Sequence, residues 1–70
     1  MKSKFPERLK ELRISAGLTQ KQLSDALNGQ IDQSSIARWE SGARVPLLDA
    51  AIVFAEYFGV SLDYLVGLED

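Results

Sequence analysis

The sequence predicts an all-α domain built from five short helices. Three observations carry that prediction. Apolar residues recur three and four positions apart along most of the chain, the spacing of one helical face. Gly17, Gly29, Gly42 and Gly59 interrupt the pattern at intervals that short helices fill. Apolar–polar alternation with β-branched support never lasts four residues, so no strand is expected.

The first helix is expected over about Phe5 to Ala16. Pro6 suits a first helical position, where no amide donor is needed. Phe5, Leu9 and Leu12 form its apolar stripe, and Gly17 ends it. The second helix opens at Thr19, with Gln22 three residues on in a capping-box pattern. Leu23, Ala26 and Leu27 supply its inner face. Asn28-Gly29-Gln30 reads as a turn, because Asn and Gly both tolerate positive φ. Ile31 is an apolar plug before the third helix, which Asp32 can cap and which runs to about Glu40. Ser41-Gly42 closes it, and Ala43 to Leu47 form a loop containing Pro46. A fourth helix spans about Leu48 to Phe58, with Leu48, Ala51, Ile52, Ala55 and Phe58 inward, and Gly59 stops it. Ser61 can cap a last helix, Leu62 to Val66, with Leu62 and Leu65 inward. There is no repeat, low-complexity segment or linker, so residues 1–70 read as one domain with its core over about 5–67.

Composition bounds the function. The chain has 70 residues, 46% hydrophobic and 26% charged, a globular balance. It has no cysteine and no histidine. That removes disulfide and thiol chemistry together with the commonest acid–base group and metal ligand. No Gly-rich phosphate loop and no acidic cluster at metal spacing appear either, so an enzyme, a metal, a cofactor and a small-molecule site are not expected. No apolar run approaches the roughly 20 residues of a membrane span. The lysine-bearing N-terminus lacks the apolar stretch of a secretion signal, which leads us to expect a cytoplasmic protein. Net charge is −2 with a pI near 5.0. The distribution is uneven: residues 1–44 hold all 8 Lys and Arg against 5 acidic residues, giving +3, and residues 45–70 hold 5 acidic residues alone, giving −5.

Cationic charge therefore lies in the half of the chain that contains the second and third helices. The third helix is two-sided. Ile36 and Trp39 share an apolar stripe, while Gln33, Ser34, Ala37 and Arg38 fall on the other side. Small residues with hydrogen-bonding Gln and Arg suit a face that enters the DNA major groove while its back packs on a scaffold.

The chain resembles the lambda-repressor-like helix-turn-helix domains of the Xre and Cro/C1 type. The resemblance is carried by Leu18-Thr19-Gln20, by Ser35-Ile36-Ala37-Arg38-Trp39-Glu40-Ser41-Gly42, by Pro46, and by Gly59-Val60-Ser61-Leu62-Asp63-Tyr64-Leu65. It covers about Phe5 to Gly67, and its specificity lies in the order and spacing of the pieces. It implies a prokaryotic or phage transcriptional regulator of repressor type that binds double-stranded DNA with the helix of residues 33–40 in the major groove. By resemblance, Gln33, Ser34 and Arg38 touch base edges. Their chemistry agrees: Gln pairs bidentately with adenine and Arg with guanine, each good pair giving about 1–3 kcal/mol of discrimination. Gln20 is expected on a phosphate, as are Arg44, Ser41 and the amides of Gly42 and Ala43. Lys2, Lys4, Arg8 and Lys21 would add diffuse attraction. Arg13 of the first helix is expected to pair internally with Glu40, and Trp39 to pack rather than contact DNA.

Four positions depart from the family pattern. The turn Leu27-Asn28-Gly29-Gln30-Ile31-Asp32 is two residues longer than usual. Asp32 replaces a neutral cap and would repel a nearby phosphate. Ser24 stands where a buried Ala is common, and Leu47 where Ser or Thr usually caps the fourth helix. Two copies are expected to bind two-fold related half-sites, pairing weakly through Val60, Leu62, Tyr64, Leu65, Val66 and Leu68. The alternative is a protein-interaction module of the same fold with little DNA affinity, which the acidic second half favours.

Overall fold

The computed structural model describes residues 3–69 and arranges them as five α-helices: α1 (Phe5–Ser15), α2 (Gln20–Ala26), α3 (Gln33–Ser41), α4 (Leu48–Phe58) and α5 (Leu62–Val66). Lys2, one of the expected sources of cationic charge, lies outside the described residues. α3 packs against α1 and α2, and α5 joins α1 to α4.

Local chemistry explains where the helices begin. Pro6 occupies the first turn of α1. The Thr19 hydroxyl accepts from the Gln22 amide at 3.1 Å while the Thr19 amide donates to Gln22 Oε1 at 2.9 Å, a reciprocal cap for α2. The Ser61 hydroxyl caps α5 by accepting from the Tyr64 amide at 3.0 Å. α4 starts at Leu48 with no side-chain cap, because its N-cap residue is Leu47.

The long turn between α2 and α3 is closed by backbone and by one buried hydroxyl. Asn28 and Gly29 both take positive φ, 58° and 74°. Their amides return to Asp25 O at 3.0 Å and Ser24 O at 3.2 Å, satisfying the last carbonyls of α2. Ser24 Oγ donates to Ile31 O at 2.7 Å inside the protein. That bond holds Ile31 in the core while Asn28, Gly29 and Gln30 stay exposed. The inner face of α2 is accordingly Leu23, Ser24 and Leu27; Ala26, expected inward, is exposed.

The core is a single cluster around Phe54. Phe5, Leu9, Leu23, Leu27, Ile31, Ile36, Ala51, Ala55 and Leu65 complete it. The Phe54 ring lies 6.1 Å from that of Phe5 and 5.7 Å, edge-on, from that of Trp39. This corrects the expected face of α4. Phe54 is fully buried, whereas Leu48 is 62% and Ile52 39% exposed. α4 is apolar on nearly every side, so its own periodicity does not choose a face. The ring that fits between Phe5 and Trp39 chooses it.

The two ends of the described chain are tied together. The Lys4 amide donates to Val66 O at 3.1 Å. Arg8 Nη1 donates to Tyr64 O at 2.6 Å and Glu69 O at 2.9 Å, and its guanidinium lies 4.1 Å over the Tyr64 ring. Arg8 therefore fastens α5 to α1. Gly67 follows α5 with φ +93° against the Lys4 side chain, and a Cβ there would lie 2.8 Å from Lys4 Cγ. Conformation and close approach both require glycine. Of the residues expected to pair two copies, Leu65 is wholly buried, Val60, Leu62, Tyr64 and Val66 are half-buried, and Leu68 is well exposed.

Phe54→Ala is expected to cost about 3–5 kcal/mol of stability, because three aromatic rings lose their common contact. Chemical denaturation followed by circular dichroism measures it.

Candidate nucleic-acid interface

α3 has one buried and one open side. Ile36 is fully buried, and Trp39 meets Phe54 edge-on. Gln33, Ser34 and Arg38 are exposed, with Ala37 half-buried at the boundary. The structure thus brings the three expected base-contact residues onto one solvent-facing side of a helix whose back is fixed in the core.

A polar network fixes the helix from its far end. Arg13 Nε donates to Glu40 Oε2 at 2.6 Å, and Arg13 Nη2 donates to Glu40 Oε1 at 3.0 Å. Arg13 Nη1 donates to Leu18 O at 2.8 Å, and Gln20 Nε2 donates to Glu40 Oε1 at 3.2 Å. The two charged side chains are only 12% and 4% exposed. Four bonds therefore join α1, the α1–α2 connection, α2 and α3. The Glu40 hydrogen bonds raise the Arg13 guanidinium above its ordinary pKa, against the desolvation of its burial. The Glu40 charge at the end of α3 is thereby spent inside the protein.

The same network changes two expectations about phosphate contacts. Gln20 turns its amide nitrogen toward Glu40, which leaves it one further N–H for an outside acceptor. Ser41 is used internally: its hydroxyl donates to Arg38 O at 3.0 Å and accepts from the Ala43 amide at 3.3 Å. The Gly42 and Arg44 amides donate to Trp39 O and Arg38 O, each at 3.3 Å. These bonds close the end of α3 and the loop after it, and they spend the Ser41 hydroxyl proton and the Gly42 and Ala43 amides inside the protein. The Arg44 side chain is exposed.

Asp32 sits at the N-cap of α3 without a side-chain bond to the helix amides. Instead Oδ1 accepts from the Ser35 hydroxyl at 2.6 Å. That hydrogen bond holds the Asp32 carboxyl below its ordinary pKa against the cost of desolvation, and the nearby Asp32 and Ser35 amides and the Arg38 charge add to it. Ser35 was not singled out from the sequence, although its place three residues after an Asp at a helix start is a legible signal.

A model of the helix-turn-helix family matches residues 9–65, most of the chain and all of the geometry just described. The chain belongs to the Xre/Cro-C1-like helix-turn-helix family of transcriptional regulators. Helix-turn-helix relatives agree over nearly its whole length. It is 33% identical over 66 residues to the HTH-type transcriptional activator BcrR of Enterococcus faecalis, covering 94% of this chain and 31% of that one. It is 36% identical over 66 residues to the uncharacterized HTH-type transcriptional regulator YobD of Bacillus subtilis (strain 168), covering 94% of this chain and 57% of that one. The crystal structure of a transcriptional regulator from Listeria innocua superposes with a TM-score of 0.84 at 31% identity, covering 100% of this chain and 64% of that one. This helix-turn-helix chain thus spans between about a third and just over half of the curated relatives it matches. The family is one of DNA-binding regulators, not enzymes.

Glu40→Ala is expected to cost about 3–5 kcal/mol by stranding the Arg13 charge, read from urea midpoints. In a second test, NMR titration should find Asp32 below the usual aspartate range, and Ser35→Ala should move it up. Because the folded value is depressed, this carboxylate's contribution to stability is present above the ordinary aspartate pKa. It is lost as pH falls through the folded value.

Proposed function

We propose that this chain binds double-stranded DNA in a sequence-specific way and thereby regulates transcription, with α3 lying in the major groove. The observation that carries the reading is the two-sidedness of α3: Ile36 wholly buried, Gln33, Ser34 and Arg38 exposed together. Gln33 and Arg38 are assigned to base edges, Gln to adenine and Arg to guanine, and Ser34 to either strand's acceptors and donors. Arg44 is assigned to a phosphate, and Gln20 to another through its remaining N–H. The excess of +3 over residues 1–44 gives the approach its sign. Repression or activation depends on where the bound site lies relative to a promoter rather than on this fold, so the reading is regulation. DNA as the target implies a cytoplasmic site of action.

Two copies are proposed to bind half-sites about 34 Å apart, or a multiple of that, on one face of the duplex. The pairing surface is moved from the set read in the sequence to the apolar groove between the α3–α4 loop and the C-terminal segment, which includes Val45, Leu48, Leu62, Val66 and Leu68. Val45 is 85% exposed there, an unusual state for a valine with apolar neighbours.

A second reading, a protein-docking module with little DNA affinity, draws on the same apolar loop and on the charge of −5 over residues 45–70. Salt separates the two. A DNA binder making 4–6 phosphate contacts loses roughly 10²–10³ in affinity between 50 and 200 mM salt, and a protein module hardly responds.

Selection from a random duplex library is expected to return a two-fold symmetric motif. Gln33→Ala and Arg38→Ala should relax individual columns of it at little cost in stability, and Arg44→Ala should weaken all sequences about equally. A library that returns no enriched motif overturns the reading.

A further inference from the structure

Among the described residues, Ser24 is the one polar residue buried in the core. It sits on α2, and both of its oxygens are spent on the turn that follows. Its carbonyl accepts from the Gly29 amide at 3.2 Å. Its hydroxyl crosses the turn and donates to Ile31 O at 2.7 Å. Ile31 is itself buried, so that carbonyl depends on the protein for a donor. α3 begins two residues later, at Gln33. Asp32, between them, has no side-chain bond to the helix amides, so a side-chain cap does not fix the helix start. α3 is held in its middle by Ile36 and at its far end by Glu40. Its leading turn, which carries Gln33 and Ser34, is tied to α2 through Ile31.

We propose that Ser24 is a positioning residue for base recognition: its buried hydroxyl sets the leading turn of α3 and with it the place of Gln33 on a base edge. The proposal rests on the DNA-binding reading above and extends it to a residue that touches no DNA. Apolar packing alone leaves a freedom at this point. The Ile31 side chain can stay in the core while the backbone beyond its Cα rotates about ψ, one of the two soft dihedrals of each residue. Such a rotation turns the peptide to Asp32 and swings the chain that follows. The Ser24 bond removes that freedom, because its acceptor is the carbonyl of that same planar peptide. Side chain and carbonyl together define the entry to α3, and neither does so alone. Pairing with a base by two parallel hydrogen bonds needs the Gln33 amide in place to within about 0.5 Å. Arg38 lies beyond Ile36, toward the Glu40 anchor, so its place depends less on the entry.

A hydroxyl that only satisfies a buried carbonyl would affect stability and nothing else. Duplex selection run in parallel on the unaltered chain, Ser24→Ala and Leu65→Val separates the two roles, with circular dichroism confirming that all three are folded. Leu65→Val changes the core at α5, away from the turn, and reports general destabilisation. Gln33→Ala and Arg38→Ala mark the columns of the motif that those two residues read. Ser24→Ala should lose discrimination in the Gln33 column by about fivefold or more, the low end of what one good bidentate contact supplies, and keep the Arg38 column within about twofold. Leu65→Val should leave both columns as they are. A motif that Ser24→Ala leaves unchanged overturns the proposal and leaves the DNA-binding reading standing. So does an equal loss in both columns, because the hydroxyl then supports the fold as a whole. No motif from the unaltered chain overturns the DNA-binding reading, and this proposal with it.

Discussion

The Glu40 carboxylate is the constraint on which the rest of the molecule depends. It is a charge taken almost wholly out of water, and it is tolerable there only because Arg13 meets it with two nitrogens and Gln20 with a third. The partners come from α1 and α2, while Glu40 belongs to α3. Satisfying one buried anion therefore fixes the mutual placement of three helices. The Arg13 bond to Leu18 O extends the constraint to the connection between α1 and α2. The network holds α3 at its far end, and the Ser24–Ile31 bond anchors the longer turn at its start.

Apolar packing acts at the other side of the same helix. Ile36 is sealed in the core and Trp39 leans on Phe54, whose ring also meets Phe5 at the start of α1. α3 is thus held by rings from beneath and by charge from its far end. An exposed face on a helix so anchored can present side chains without itself moving, the preorganisation that sequence recognition needs. The cationic charge has been divided in a corresponding way. Arg8 and Arg13 are committed to the fold, and Arg38 and Arg44 remain on the open side.

The family relationship was legible in the sequence because its signals are local. Thr19 and Gln22, three residues apart, cap the start of α2, Asn28-Gly29 closes its end, and Ser61 opens α5. Arg13 and Glu40 are 27 residues apart, and no periodicity links them. Their partnership was readable only through resemblance to a family. Ser41 shows the opposite case. Its place beside Gly42 suggested an outward hydroxyl, and Ser41 instead ends α3 and donates its proton one turn back to Arg38 O.

By itself the sequence determined the all-α class, the extent of the five helices, their caps and turns, and the open character of Gln33, Ser34 and Arg38. These follow from dihedral preferences, hydrogen bonds spanning three or four residues, and polarity on one side of a single helix. Tertiary structure alone decided which side of α4 faces inward, why Ser24 is buried, where the Gln20 amide points, and that Asp32 answers to Ser35 instead of the helix amides. Each of those outcomes is settled by a competing partner: Phe5 and Trp39 for α4, Ile31 O for Ser24, Glu40 for Gln20, and the Ser35 hydroxyl for Asp32. Local preference leaves several options nearly equal in energy at such positions, and the contact made when the helices close together selects one.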